Sequence, residues 1–167
     1  MRRSEKRGHI EYPAASDYDS HMEEFVIRDL PHFLTLWQDV YASRGKPAWD
    51  HILPYYDRDV VFRDSVQEIR GIKAFTAMTR RLARRSKNLE FLVRHSIMQG
   101  DLIFIEWEMR ISFKRYPKSS VYGASRILLR KGKILEQRDF YDLWGDIFDN
   151  IPFAGKAYRL FMRKAFG

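Results

Sequence analysis

Near Leu89 the apolar residues of this 167-residue chain stop recurring every three or four positions and begin to alternate. A period near 3.6 belongs to a helix packed on one side and a period of 2 to a strand with two unlike faces. The switch predicts four strands, Glu90 to Met98, Leu102 to Phe113, Ser120 to Arg130 and Lys133 to Leu143. Turn signals part them at Gln99-Gly100-Asp101, Tyr116-Pro117-Lys118 and Lys131-Gly132. Connections this short join antiparallel neighbours. Upstream, a helix starts near Asp29 with Pro31 in its first turn, and Phe33, Leu36, Trp37, Val40 and Tyr41 form its apolar stripe. Gly45-Lys46-Pro47 stops it, and a short second helix, Ala48 to Leu53, presents Trp49 and Ile52. A brief strand, Asp59 to Asp64, precedes a third helix opened by Gly71, whose inner side is Ile72, Phe75, Met78, Thr79 and Leu82. Helices followed by a curved antiparallel sheet make an α+β domain over residues 25–144, flanked by a loose polar arm (1–24) and a basic amphipathic extension (145–167).

Strand parity separates two faces. Ile103, Ile105, Trp107, Met109, Ile111 and Phe113 share one side of the long central strand, with Glu106, Glu108 and Arg110 opposite. In the last strand Leu135, Gln137, Asp139 and Tyr141 share a face, and Ile134, Glu136, Arg138, Phe140 and Asp142 the other. If Glu106, Glu108, Arg110, Arg126, Arg130, Glu136 and Arg138 pair across an outer surface, Trp107, Met109, Gly123, Ser125, Gln137, Asp139 and Tyr141 lie inside. A carboxylate in line with a leucine and a tyrosine suits a pocket wall better than a closed core. The outer face is the expected homodimer surface.

Composition narrows the chemistry. Without cysteine there is no disulfide, zinc-thiolate site or thiol nucleophile, and no His and carboxylate spacing resembles a metal site. No cofactor motif is present, including a phosphate-cradling glycine loop. The net charge of +8 gathers at Arg2 to Arg7, Arg80 to Lys87 and Lys156 to Lys164, without a nucleic-acid-binding signature, so no specific nucleic-acid partner is expected. Lacking a secretory leader or spanning run, the chain reads as a cytoplasmic protein.

The helical stripe, Tyr56-Asp57-Arg58-Asp59-Val60-Val61-Phe62-Arg63-Asp64, Gly71-Ile72-Lys73-Ala74-Phe75 and Arg138-Asp139-Phe140-Tyr141-Asp142, in that order, resemble the nuclear transport factor 2-like, or SnoaL-like, superfamily. The resemblance runs from about Phe25 to Trp144. It implies a cone-shaped barrel, three N-terminal helices on a strongly bent sheet around a pocket open at one end. The superfamily holds isomerases, epoxide hydrolases, polyketide cyclases, dehydratases and non-catalytic binders, so activity must be argued from the site. Similarity to ketosteroid isomerases places a general base at Asp64 and the oxyanion-hole positions at Trp37 and Ser125, which do not reproduce that family's acidic pair. Similarity to limonene-type epoxide hydrolases places a water-activating acid at Asp139. That family's inward arginine and second aspartate fall on Trp107 and Met109, which can do neither task.

The expected site therefore has Asp139, Asp64 and Tyr141 as acid–base residues and Trp37, His95, Trp107, Met109, Ser125 and Gln137 around a small apolar molecule. Each has a plainer reading: Asp139 as a satisfied buried acid, Asp64 as a turn cap, Tyr141 and Trp107 as wall, His95 as a core histidine beside Phe91, Val93 and Ile97. The expected function is cofactor-independent isomerisation, cyclisation or hydration of an apolar substrate, the alternative a non-catalytic ligand-binding or protein-interaction module. Lys156, Arg159, Arg163 and Lys164 on the terminal helix suit either docking on the domain or weak contact with an anionic membrane.

Overall fold

The computed structural model describes residues 25–42, 47–113, 119–147 and 153–167. The expected arm (1–24), the stop at Gly45-Lys46, the turn at Tyr116-Pro117-Lys118, and Phe148, Ile151 and Pro152 lie outside them.

Helix α1, Leu30–Ala42, is started by Asp29, whose carboxylate accepts from the His32 N–H at 2.8 Å. Its stripe is buried: Phe33, Trp37 and Val40 are almost inaccessible. Phe33 stacks on Trp37 at 5.4 Å between centroids, and Tyr41 stacks on Phe91 of the sheet at 4.6 Å. The expected second helix is absent. Residues 47–52 turn irregularly, and one 3₁₀ turn, Leu53–Tyr55, follows, with Pro54 fixing its first residues.

Strand β1 (Tyr56–Arg63) and the three-residue β2 (Glu68–Arg70) form an antiparallel hairpin, and helix α2, Ile72–Arg85, follows. Gly71, at φ 80°, makes the reversal between β2 and α2, a backbone setting that side chains resist. Strands β3 (Ser86–Gln99), β4 (Leu102–Phe113), β5 (Ser119–Arg130) and β6 (Lys133–Tyr141) then run as an antiparallel meander. The six strands order β2-β1-β6-β5-β4-β3, and β1 lies parallel to β6, so the sheet is mixed and open, a bent half-cone rather than a closed barrel. The α+β class holds, with two α-helices on the concave face instead of three.

Two bulges correct the parity reading. Val93 faces Trp107 and His95 faces Glu106, so Arg94 is an extra residue in β3. Beyond it the faces exchange. His95 and Ile97 turn outward and Met98 packs on the core, so His95 is no core or pocket residue. In β6 the register slips between Glu136 and Ile134, leaving Leu135 extra. Ile134, expected outside, is therefore completely buried.

The outer face is charged as expected, but of the expected cross-strand pairs only Arg126 with Glu136 forms, and the other charges find different partners. Arg126 meets Glu136 at 2.7 Å, Arg130 meets Asp57 at 2.7 Å, and Glu108 is bound by Arg94 and Arg110. After β6, one π-helical turn, Leu143–Ile147, leads toward helix α3, Ala154–Phe166. Tyr158 of α3 stacks on Trp144 at 5.6 Å, while Leu160, Phe161, Phe166 and the four basic residues of α3 stay exposed. Among the described residues no helix is long and apolar enough to cross a membrane.

Candidate active site

Between the concave sheet and the two helices lies a cavity of about 400 Å³. Aromatic rings line much of it: Trp37, Tyr41 and Trp49 on the helical side, Phe62, Phe91, Trp107 and Tyr141 on the strands. Asp64, Ser125, Gln137 and Asp139 bring the polar atoms. The alternation of β4, β5 and β6 puts these side chains there, because Ile105 faces Ser125, Ser125 faces Asp139 and Trp107 faces Gly123. Gly123 is required where the Trp107 ring crosses β5: a Cβ there would stand 2.5 Å from that ring.

Asp139 is held by a directed chain of hydrogen bonds. An indole can only donate, so Trp107 Nε1 gives its proton to Ser125 Oγ at 2.8 Å, leaving the serine proton to reach Asp139 Oδ1 at 2.7 Å. From the other side, the Tyr56 hydroxyl donates to Gln137 Oε1 at 2.7 Å. This turns the Gln137 amide nitrogen toward Asp139 Oδ1, at 3.0 Å. Oδ1 therefore accepts two neutral hydrogen bonds, whereas Oδ2 has no partner among the described residues. Burial pushes the Asp139 carboxyl up to about 6, against the pull of Ser125 and Gln137, with the charge of Asp64 adding to the rise. Among the described residues no cation pairs with it; the adjacent Arg138 turns outward over the Phe140 ring, 4.7 Å from its centroid.

Asp64 follows β1 and caps the hairpin: one carboxylate oxygen accepts from the backbone N–H groups of Val66 and Gln67, both at 2.8 Å. Ser65 ties the same hairpin to the Tyr141 carbonyl at 3.2 Å. Burial, then the charges of Asp64 and Asp139, raise the Tyr141 phenol well above its ordinary range, so it stays a proton donor. Burial and the Asp139 charge do the same to Tyr41 and Tyr56. The buried indole nitrogens of Trp37 and Trp49 have no hydrogen-bond partner among the described residues.

Of the expected site residues, Asp139, Asp64, Tyr141, Trp37, Trp107, Met109, Ser125 and Gln137 all line this one cavity. His95 does not: its side chain is 84% exposed and pairs with Glu106 at 2.6 Å on the outer face. Sequence reasoning missed Tyr56, Tyr41, Trp49 and the cavity-lining Arg81 and Arg85. Tyr41 and Trp49 have the sequence signature of packing residues, and they pack as well as line the cavity. Tyr56 carried no signal, since its role depends on the parallel pairing of β1 with β6. Glu106, Glu108 and Arg110 point away, so the acid–arginine set of an epoxide hydrolase is not assembled. Among the described residues no cluster of three or more His, Cys, Asp or Glu could hold a metal ion.

Comparison with known proteins matches residues 32–137 to the SnoaL-like domain. The chain belongs to this family. Solved structures agree on the fold. A protein with a ketosteroid isomerase-like fold from Catenulispora acidiphila, crystallised with trimethylamine, is 16% identical, with a TM-score of 0.61 over 76% of this chain and 95% of that one. An LEH-like epoxide hydrolase from M. tuberculosis is 18% identical, with a TM-score of 0.54 over 67% and 83%. A protein classed as a SnoaL-like polyketide cyclase from Shewanella putrefaciens is 13% identical, with a TM-score of 0.55 over 68% and 92%. No curated protein matches. At these identities the SnoaL-like chain shares a fold with its neighbours, and its own side chains must speak for its chemistry.

Proposed function

We propose that this SnoaL-like protein catalyses a cofactor-independent proton transfer on an apolar substrate, an isomerisation, cyclisation or hydration, with Asp139 as general base. One observation carries the reading: a carboxylate with one oxygen fixed by Ser125 and Gln137, and among the described residues no partner for the other and no paired cation, inside a cavity walled by aromatic rings. At about pH 6 and above the group is ionised and, for a carboxylate, a strong base. It takes a proton from a carbon acid or a water molecule, and as the neutral acid returns it at another position. Tyr141 lines the same cavity and supplies a phenol that holds its proton, as a donor for a substrate oxygen. Asp64, occupied in its turn, acts through its charge. The test is turnover of apolar enones and epoxides as a function of pH. The expected kcat/KM rises as pH passes about 6 and drops about a hundred- to ten-thousandfold in Asp139→Asn. Full turnover by that variant refutes the assignment. A non-catalytic binder is the second reading, supported by the structural cap that Asp64 makes; it predicts tight binding without turnover.

A further inference from the structure

Helix α2 runs along the cavity with Phe75, Met78 and Leu82 facing its apolar interior, and Arg81 and Arg85 on the same stripe. Both arginines are exposed, so they stand where the cavity meets solvent. Four residues apart on a helix, they are neighbours whose guanidinium groups can share one anion. Among the described residues neither is drawn off by an acid, as several other arginines of this molecule are. On the sheet, Arg63 and Arg70 share Glu68, Arg94 and Arg110 share Glu108, Arg126 has Glu136 and Arg130 has Asp57. On α2 itself Arg80 reaches Asp50 at 3.8 Å. Among the described residues Arg81 and Arg85 have no ion-pair partner, although like charges at this spacing weaken a helix.

The opposite polarity is found at the strand end of the cavity. There Asp139 stands on β6 and Asp64 just after β1, across from helix α2, and among the described residues neither forms an ion pair with Arg81 or Arg85. A negative group on the ligand would be repelled beside Asp64 and Asp139 and attracted at the rim.

We propose that the ligand is an amphiphilic anion, its apolar body among Trp37, Phe91 and Trp107 and its single anionic oxygen group, carboxylate or phosphate, held by Arg81 and Arg85. This polarity orients the molecule, sending the uncharged end to Asp139. The inference rests on the cavity being the substrate site.

The test is calorimetric titration of three probes of one shape, 2-naphthoate, 2-naphthyl phosphate and neutral methyl 2-naphthoate, into the Asp139→Asn protein, where turnover cannot interfere. At low salt at least one anion should bind about tenfold or more tightly than the ester, with the stronger of the two naming the anionic group. Added Arg81→Gln and Arg85→Gln should erase that preference while ester affinity stays within about twofold, because neither arginine supports the fold through an ion pair. Equal binding of ester and anions, or a preference that survives loss of both arginines, overturns this inference and leaves the acid–base reading standing. Failure of all three probes to bind overturns both, since it removes the cavity as a ligand site.

Discussion

Glu108 and Asp139 are both carboxylates on the same bent sheet, two strands apart and on opposite faces. Glu108 is only 3% exposed, yet Arg94 and Arg110 donate to its two oxygens and hold its carboxyl below the usual range. Asp139 is also withdrawn from water, but its donors are a serine and an amide, and its carboxyl rises to about 6. Desolvation acts upward on both carboxyls; at Glu108 two guanidinium donors outweigh it, and at Asp139 the neutral donors do not. A buried acid given cations becomes part of the scaffold, and one given only neutral donors keeps a proton affinity useful for catalysis. The outer face spends its charges on pairing, and the inner face leaves one unneutralised.

That contrast can be broken most sharply through stability. Raising a carboxyl from 3.8 to about 6 means that ionised Asp139 opposes folding, by about 3 kcal/mol once pH exceeds the folded value. Asp139→Asn keeps an acceptor for Ser125 and Gln137 and removes the charge. It should stabilise the protein in urea unfolding, with a gain that is negligible near pH 4, grows as pH rises to about 6, and levels above it at up to about 3 kcal/mol. Glu108→Gln should act in the opposite direction. A lowered carboxyl contributes stability above its ordinary range and loses it as pH falls, so this variant should have a lower urea midpoint at pH 7 and approach the parent in acid. If both variants shift the midpoint the same way, the two faces are not the opposites described.

A smaller effect sharpens the inner side. The Ser125 hydroxyl favours the ionised form of Asp139, so Ser125→Ala should raise the Asp139 midpoint further, by about half to one pH unit, and move the acid limb of the pH–rate profile upward with it. The variant also leaves the Trp107 indole N–H without its acceptor, at a cost of about 1–3 kcal/mol.

The inner face was legible because alternation is a property of every regular strand. Trp107 and Met109 on β4, Ser125 on β5, and Gln137, Asp139 and Tyr141 on β6 fall where parity puts them. His95 and Ile134 did not, because each lies beyond a bulge, and one additional residue in a pairing leaves no mark in composition or period. The α+β class followed from the change of period at Leu89. The three-residue β2 was too short to show a pattern, and the segment after Pro47 has the residues of a helix without the length to sustain one. The hydrogen-bond chain was hidden for another reason: Tyr56 and Gln137 are 81 positions apart, brought together by a parallel pairing that no local signal announces.

The most direct test is the titration of the Asp139 side-chain carboxyl, followed by carbon-13 NMR and assigned through the Asp139→Asn spectrum. A midpoint near 6 is the result expected of an acid enclosed by rings and neutral donors. A midpoint at the ordinary aspartate value of about 3.9 would show a solvated or cation-paired group, and the acid–base role built on its isolation would be contradicted.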